Sequence, residues 1–222
     1  MWDVDQTLTV TRPLGGESFI AAFTALTGRS PDDPPNFAGG TDRHSCAWAL
    51  SQCGITDPEP YFDRFFELMA AEFAARAHRV IEVGRVLPGA AEVLAGLAVL
   101  PHITQTLVTG NIPPVARAKI APFGLDAFVD LEVGGYGWDH EVRAHLVRLC
   151  VQRAGRKYGH DFDELVVVGD TPRDVEAGLA HGATVVGVAT GFTRADDLKA
   201  AGAHVVLESL ADVPAAVELL AG

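Results

Sequence analysis

From residue 87 onward, apolar runs of strand length alternate with stretches in which apolar positions recur every three or four residues. That alternation predicts a parallel sheet with helices covering both of its faces. Residues 103–108, 128–133, 165–168, 184–188 and 204–207 are the strand candidates, rich in valine and bounded by Gly, Asp or Asn. Helices are expected over 90–100 behind Pro88-Gly89, over 115–123 behind Pro113-Pro114, over 141–154 ahead of Gly155, and from Pro172 to about Ala180, ended by Gly182. Between about Gly15 and Arg85 the texture changes. Phe19, Ala22, Phe23 and Leu26, then Trp48, Leu50 and Cys53, then Phe62, Phe65, Phe66, Met69 and Phe73 recur at helical steps without a strand-like run. Prolines at 31–35 and 58–60 punctuate this stretch, so it reads as an all-helical insertion whose aromatic stripes form a core.

A chain of 222 residues accommodates one large domain, or a core carrying a smaller inserted one. With 48% hydrophobic and 21% charged residues, a sizeable core forms and global disorder is excluded. Seventeen Lys and Arg against 29 Asp and Glu leave a net charge of -12, and no basic patch interrupts it, so nucleic acid and acidic membrane surfaces are not expected partners. Cys46, Cys53 and Cys150 fit neither a disulfide framework nor a zinc site and read as reduced thiols. The amino terminus resembles no signal peptide and no apolar stretch approaches the ~20 residues that span a bilayer, so the expected location is cytoplasmic.

Candidate chemistry sits at three strand ends. Asp3 and Asp5 lie two residues apart, which in extended chain turns both carboxylates to one side, although Asp-x-Asp is also common in turns. Thr109-Gly110-Asn111 closes a strand just before a Pro-initiated helix. That junction suits an anion, through free N–H groups and the helix dipole, and equally suits plain capping by Asn111. Asp170 ends a further strand, with Asp174 four residues on, and here the competing role is an N-cap at Asp170 or Thr171. Ligands of open parallel sheets bind beyond the carboxyl ends of the strands, so these groups would converge. Clustered carboxylates repel unless a cation joins them, and oxygen donors without His or Cys favour Mg²⁺.

Asp3-Val4-Asp5-Gln6-Thr7, Thr109-Gly110-Asn111, Lys119 and Gly169-Asp170-Thr171-Pro172-Arg173-Asp174 resemble the four ordered motifs of the haloacid dehalogenase (HAD) superfamily. The resemblance covers nearly the whole chain. It implies a Rossmann-like α/β core over residues 1–14 and 86–222 and a helical cap over 15–85, of the kind found in phosphoglycolate phosphatase-like members. It implies a Mg²⁺-dependent phosphatase acting on a small phosphorylated metabolite. Asp3 would be the nucleophile that becomes an aspartyl phosphate, and Asp5 the acid and then the base. Thr109 and the Gly110 amide, with Asn111 beside them, would hold phosphoryl oxygens. Lys119 would neutralise the phosphoryl group and the nucleophile, with Arg143 as the alternative, because residues 134–140, where many relatives carry this lysine, contain none. Asp3, the backbone carbonyl of Asp5 and Asp170 would bind the metal, and Asp174 would bind it or orient its waters.

Three departures from the family pattern carry expectations of their own. Gln6 stands where the superfamily most often has Gly. Only Met1 and Trp2 precede Asp3, whereas the first strand of this fold should be longer, and a start lying further upstream is the favoured reading. The stretch 39–44 resembles a cap loop that faces the site on closure, so that Thr41 and Arg43 would meet substrate, or Thr41 or Asp42 would simply cap the next helix. His140 and His145 lie five apart, a spacing that makes no zinc pair, and read as solvated surface residues. Asp5 and Asp170 argue against a haloalkanoic dehalogenase, which needs neither. A sugar-phosphate mutase using the same aspartyl phosphate, and a non-catalytic phosphate-binding or interaction module, are the alternatives.

Overall fold

Six chain segments run in one direction across the centre of the computed structural model, which describes residues 1–33, 35 and 37–222. Trp2 bridges Leu107 on one side and Val168 on the other, both in parallel sense. Beside Leu107, β3 (Val108–Thr109) pairs in parallel with β4 (Gly135–Tyr136). Beyond Val168, β5 (Val166–Gly169), β6 (Thr184–Val188) and β7 (Val205–Leu207) follow as parallel neighbours. Alternate side chains serve opposite faces. Leu107 and Val168 join one apolar core with α5 (Ala90–Ala98) and α10 (Val213–Ala221), while Val108 and Val167 join another with α7 (Arg143–Tyr158) and α8 (Pro172–Leu179). The α/β architecture with helices on both faces is therefore the one expected.

Residues 14–83 form α1 (Leu14–Thr27), α2 (Asp42–Gln52), α3 (Phe62–Arg76) and the single turn α4 (Val80–Val83). Phe19, Phe23, Leu50, Phe62, Phe65, Phe66, Met69 and Phe73 pack together in a core of their own, as their spacing dictates, while Trp48 and Cys53 stay half-buried at its margin. This core rests on Ile112 and Val115 at the start of α6 (Pro113–Ile120). Both ends of the helical segment are tied together by an antiparallel ribbon, β1 (Thr9–Val10) against β2 (Arg85–Val86). Of the proline-rich break at 31–35, Pro34 lies outside the described residues.

Two strand expectations are corrected. Residues 128–133 form no strand. They lie in 3-10 turns, Leu125–Phe128 and Leu131–Val133, because the Asp130 side chain accepts the Glu132 N–H at 3.0 Å and turns the chain. The strand comes at Gly135–Tyr136 instead. Residues 103–106 are not strand either: a cavity of about 450 Å³ separates them from 162–166, so they have no strand partner among the described residues. The Met1 ammonium donates to the Val166 carbonyl at 2.8 Å, and burial holds its pKa below the ordinary value. Among the described residues, no helix is long and apolar enough to cross a membrane.

Candidate active site

Asp3 leaves the sheet between β3 and β5, its N–H donating to the Val168 carbonyl at 2.9 Å. Asp170 follows the last residue of β5 and Asp174 sits in the first turn of α8. One oxygen from each of these three buried carboxylates lies within 4.8 Å of the others. Gly169 and Gly191 permit the gathering, since a Cβ at Gly169 would lie 2.3 Å from the Asp174 carboxyl carbon and one at Gly191 would lie 1.9 Å from Asp170 Oδ2. Burial first, and then the charges of its acidic neighbours, push Asp170 up to about 9 and Asp3 to about 7, Arg143 opposing both. Three desolvated carboxylates, two of them paired with one guanidinium, make an all-oxygen cradle suited to a hard divalent cation.

That guanidinium belongs to Arg143, the first residue of α7. Its Nη2 lies 2.5 Å from Asp3 Oδ1 and 2.7 Å from Asp174 Oδ1 and also donates to the Val108 carbonyl. Asp174 is fixed from the other side, its Oδ2 accepting the Thr171 N–H at 3.0 Å and the Thr171 hydroxyl at 2.6 Å, so the N-cap role foreseen for Thr171 coexists with the cluster. Thr7 donates weakly to Asp170 Oδ1, at 3.4 Å.

Asp5 stands apart from this triad, and its side chain is not among the gathered carboxylates. Its Oδ2 accepts from Lys119 Nζ at 2.6 Å and from Asn111 Nδ2 at 2.8 Å. Lys119 also donates to Asn111 Oδ1, and Asn111 Nδ2 to Thr109 Oγ1, each at 2.8 Å. Burial alone would raise Asp5, but the charge and hydrogen bond of Lys119 and the bond from Asn111 outweigh it and hold its carboxyl below the usual range. The expectation that Lys119 neutralises the nucleophile is thus corrected. Lys119 faces Asp5, and Arg143 faces Asp3. Asn111 is likewise bound to the protein's own groups, as the capping alternative anticipated in kind but not in partner. Gln6 adopts the left-handed conformation, φ 66°, which explains why a glycine is the natural occupant of that turn.

The loop leading into α2 lies over these groups. Asp42 N–H donates to the Gly110 carbonyl at 2.7 Å, Arg43 N–H to the Gly137 carbonyl at 3.0 Å, and the Thr41 hydroxyl to the Glu141 carbonyl at 3.1 Å. Thr41 Oγ1 also accepts the His44 N–H, so it does cap α2. The Arg43 guanidinium pairs with Glu59 at 2.6 Å, lies 4.0 Å from the centre of the Phe62 ring and donates to the Trp138 carbonyl. Sequence reasoning missed Asp42 as an anchor. Its buried Oδ2 accepts the Ile112 N–H at 2.8 Å. It also took the Gly134–Gly137 run only for its lack of lysine, where the signal was close backbone approach. His140 and His145 are surface residues, partly open to solvent, and their rings stack with centroids 3.8 Å apart.

Comparison with known proteins agrees with this arrangement. A family model described as haloacid dehalogenase-like hydrolase matches residues 1–178, and a related HAD-hydrolase-like model matches residues 144–213. A protein of Dickeya dadantii (strain 3937), described as a probable phosphatase, IndB, is 30% identical over 140 residues, which is 62% of this chain and 58% of that one. The solved structure of a predicted phosphatase from Clostridium acetobutylicum superposes with a TM-score of 0.70 at 19% identity, covering 100% of this chain and 97% of the other. A hydrolase from Pseudomonas syringae superposes with a TM-score of 0.67 at 21% identity, covering 100% and 98%. At those identities the two structures speak for the fold, whereas the match over residues 1–178 speaks for the family: this chain belongs to the haloacid dehalogenase-like hydrolases.

Proposed function

We propose that the chain is a Mg²⁺-dependent phosphatase that hydrolyses a small phosphate monoester through an aspartyl phosphate on Asp3. The observation that carries this reading is the pairing of Asp3 with two separate supports: Arg143 on one oxygen, and Asp170 and Asp174 close enough to share a cation with it. A second carboxylate, Asp5, stands two residues away with its own counter-charge. The Arg143 Nε–H is a buried donor with no acceptor among the described residues, and a phosphoryl oxygen would satisfy it.

Asp3 would attack phosphorus while the bond to the leaving oxygen breaks, and Asp5 would hand that oxygen a proton. Water would then attack the aspartyl phosphate, giving its proton to Asp5 and returning Asp3 as a carboxylate. Arg143 would steady the negative charge in both steps. Mg²⁺ held by Asp3, Asp170 and the Asp5 carbonyl, with Asp174 beside it, would supply charge neutralisation and electrophilic activation. The helical segment over residues 15–85 acts in this reading as a lid, its 39–43 loop excluding bulk water.

The test is phosphate release from p-nitrophenyl phosphate and from a panel of phosphorylated metabolites, with Mg²⁺ and with a chelator. Asp3→Asn keeps an acceptor for Arg143 and is expected to retain its circular dichroism while losing activity by about 10³-fold or more. Equal rates for variant and parent would remove Asp3 as nucleophile. Transfer to an added sugar phosphate in place of phosphate release would make the protein a mutase.

A further inference from the structure

We infer that Lys119 and Asn111 are positioning residues for proton transfer at Asp5, a step that rests on the phosphatase reading above. Both donate to the same atom, Asp5 Oδ2, at 2.6 and 2.8 Å, and they are joined to each other by the 2.8 Å bond from Lys119 Nζ to Asn111 Oδ1. The result is a closed ring of three hydrogen bonds. Two of its members are almost fully buried: the Lys119 side chain is 5% exposed and Asn111 8%. The Asp5 side chain, at 39%, is the open one. Asn111 is further braced by the buried Thr109 hydroxyl. Lys119 is confined at its tip, where a Cβ on Gly15 would lie 3.5 Å from Nζ and the Phe73 ring centre lies 5.9 Å away.

Two donors on one carboxylate oxygen fix the rotation of the group about its Cβ–Cγ bond. Asp5 Oδ1 is left as the atom that exchanges a proton. Lys119 keeps Asp5 a carboxylate in the free enzyme, so in the first step Oδ1 takes the proton of the bound monoester monoanion and relays it to the leaving oxygen as the P–O bond breaks and the Asp3 O–P bond forms. In the second, Oδ1 takes a proton from the attacking water as the Asp3 O–P bond breaks. A carboxyl free to rotate would present neither oxygen at the required place, and misplacement of this kind costs about 10²-fold in rate.

The experiment compares kcat/KM, which reports the first step alone, for p-nitrophenyl phosphate and for an alkyl phosphate. The nitrophenolate leaves without help, whereas the alkoxide needs a proton. In Lys119→Met the alkyl ester is expected to lose about 10²-fold, at least ten times more than the aryl ester loses. The slowed second step should appear as a burst of nitrophenolate before steady turnover. Asn111→Ala, which removes one of the two donors, should show the same split more weakly, and Lys119→Arg should recover part of the loss. Equal losses on both esters would put Lys119 on the phosphoryl group and overturn the inference while leaving the phosphatase reading intact. A parent enzyme that hydrolyses neither ester would overturn both.

Discussion

Asp42 is a carboxylate buried at the junction of α2 and α6, and burial, opposed by the Ile112 N–H and the charge of Lys119, pushes it up to about 6 from 3.8. A carboxyl whose folded pKa lies above its unfolded one contributes stability that is fully present below about pH 4 and lost as pH rises through about 6. At 1.36 kcal/mol per unit the loss is on the order of 3 kcal/mol. Asp42→Asn retains an acceptor for Ile112 and carries no charge, so its urea stability should gain on the parent's by up to ~3 kcal/mol between pH 4 and 7.5. Stability curves that stay parallel over that range would show the Asp42 carboxylate to be compensated elsewhere. Residues of this kind mark the boundary of what sequence reveals. Asp3, Asp170 and Asp174 were legible because period-two alternation and strand ends dictate where such side chains point. Which cation meets which carboxylate was not, since Lys119 and Arg143 reach the site from two helices whose approach depends on packing. Asp42 left no trace because a first-turn aspartate looks the same whether it caps its own helix or anchors another segment.

Among the elements, the loop before α2 meets the ends of β3 and β4 backbone to backbone. A Cβ on Gly137 would lie 1.6 Å from the Gly110 carbonyl oxygen, and one on Gly110 would lie 1.8 Å from that of Gly40. No rotamer relieves contact with backbone, so Gly110→Ala must push the 39–43 loop away. The sheet core is untouched, so the expected outcome is a folded protein with activity reduced about tenfold or more, because the site no longer closes. An alanine variant with wild-type kcat would mean that the crossing is not needed for turnover. Strand prediction followed pairing. The valine runs of β5, β6 and β7 lie beside partners and were readable, whereas 128–133 was lost to the turn at Asp130 and 103–106 to the cavity beside it. The register that places Trp2 between Leu107 and Val168 continues into the 450 Å³ cavity. Adding three or four apolar, β-branched residues before Met1 should fill it, extend two ladders and replace a buried ammonium by a peptide N–H. A gain of roughly 1–3 kcal/mol, read as a rise of several degrees in Tm, is expected. An unchanged or lower Tm would show that the slot does not accept a strand.

At the scale of the molecule, the core of the helical segment is separate from those on the two faces of the sheet. The helical segment packs its aromatic residues on one another and touches the α/β part chiefly through α6, while β1 and β2 tie both its ends at one place. In the proposed lid reading, paired linkers of that kind are the hinge about which the segment would swing. Asp3, at 6% exposure, lies beneath the 39–43 loop, so on that reading a phosphate ester would reach it only when the loop lifts. Lifting it breaks the bonds from Asp42 N–H to Gly110, Arg43 N–H to Gly137, Thr41 to Glu141, Ile112 N–H to Asp42 and the guanidinium of Arg43 to Trp138, together with the longer bonds from Arg143 to Gly39 and Arg173 to Ala38. Phe37, by contrast, is an exposed ring set edge-on to Phe19 at 5.1 Å, and so would travel with the lid. Local opening of this kind costs less than global unfolding, and amide exchange reports the difference. The Asp42 and Arg43 amides should therefore exchange markedly faster than those in the middle of α1 and α3. They should slow when Mg²⁺ and vanadate, a phosphate mimic, are added, because a ligand that binds only the closed form draws the population towards it. Protection at Asp42 and Arg43 equal to that of the α3 core in the free protein would mean that the two parts move as one body, and that substrate enters by another route.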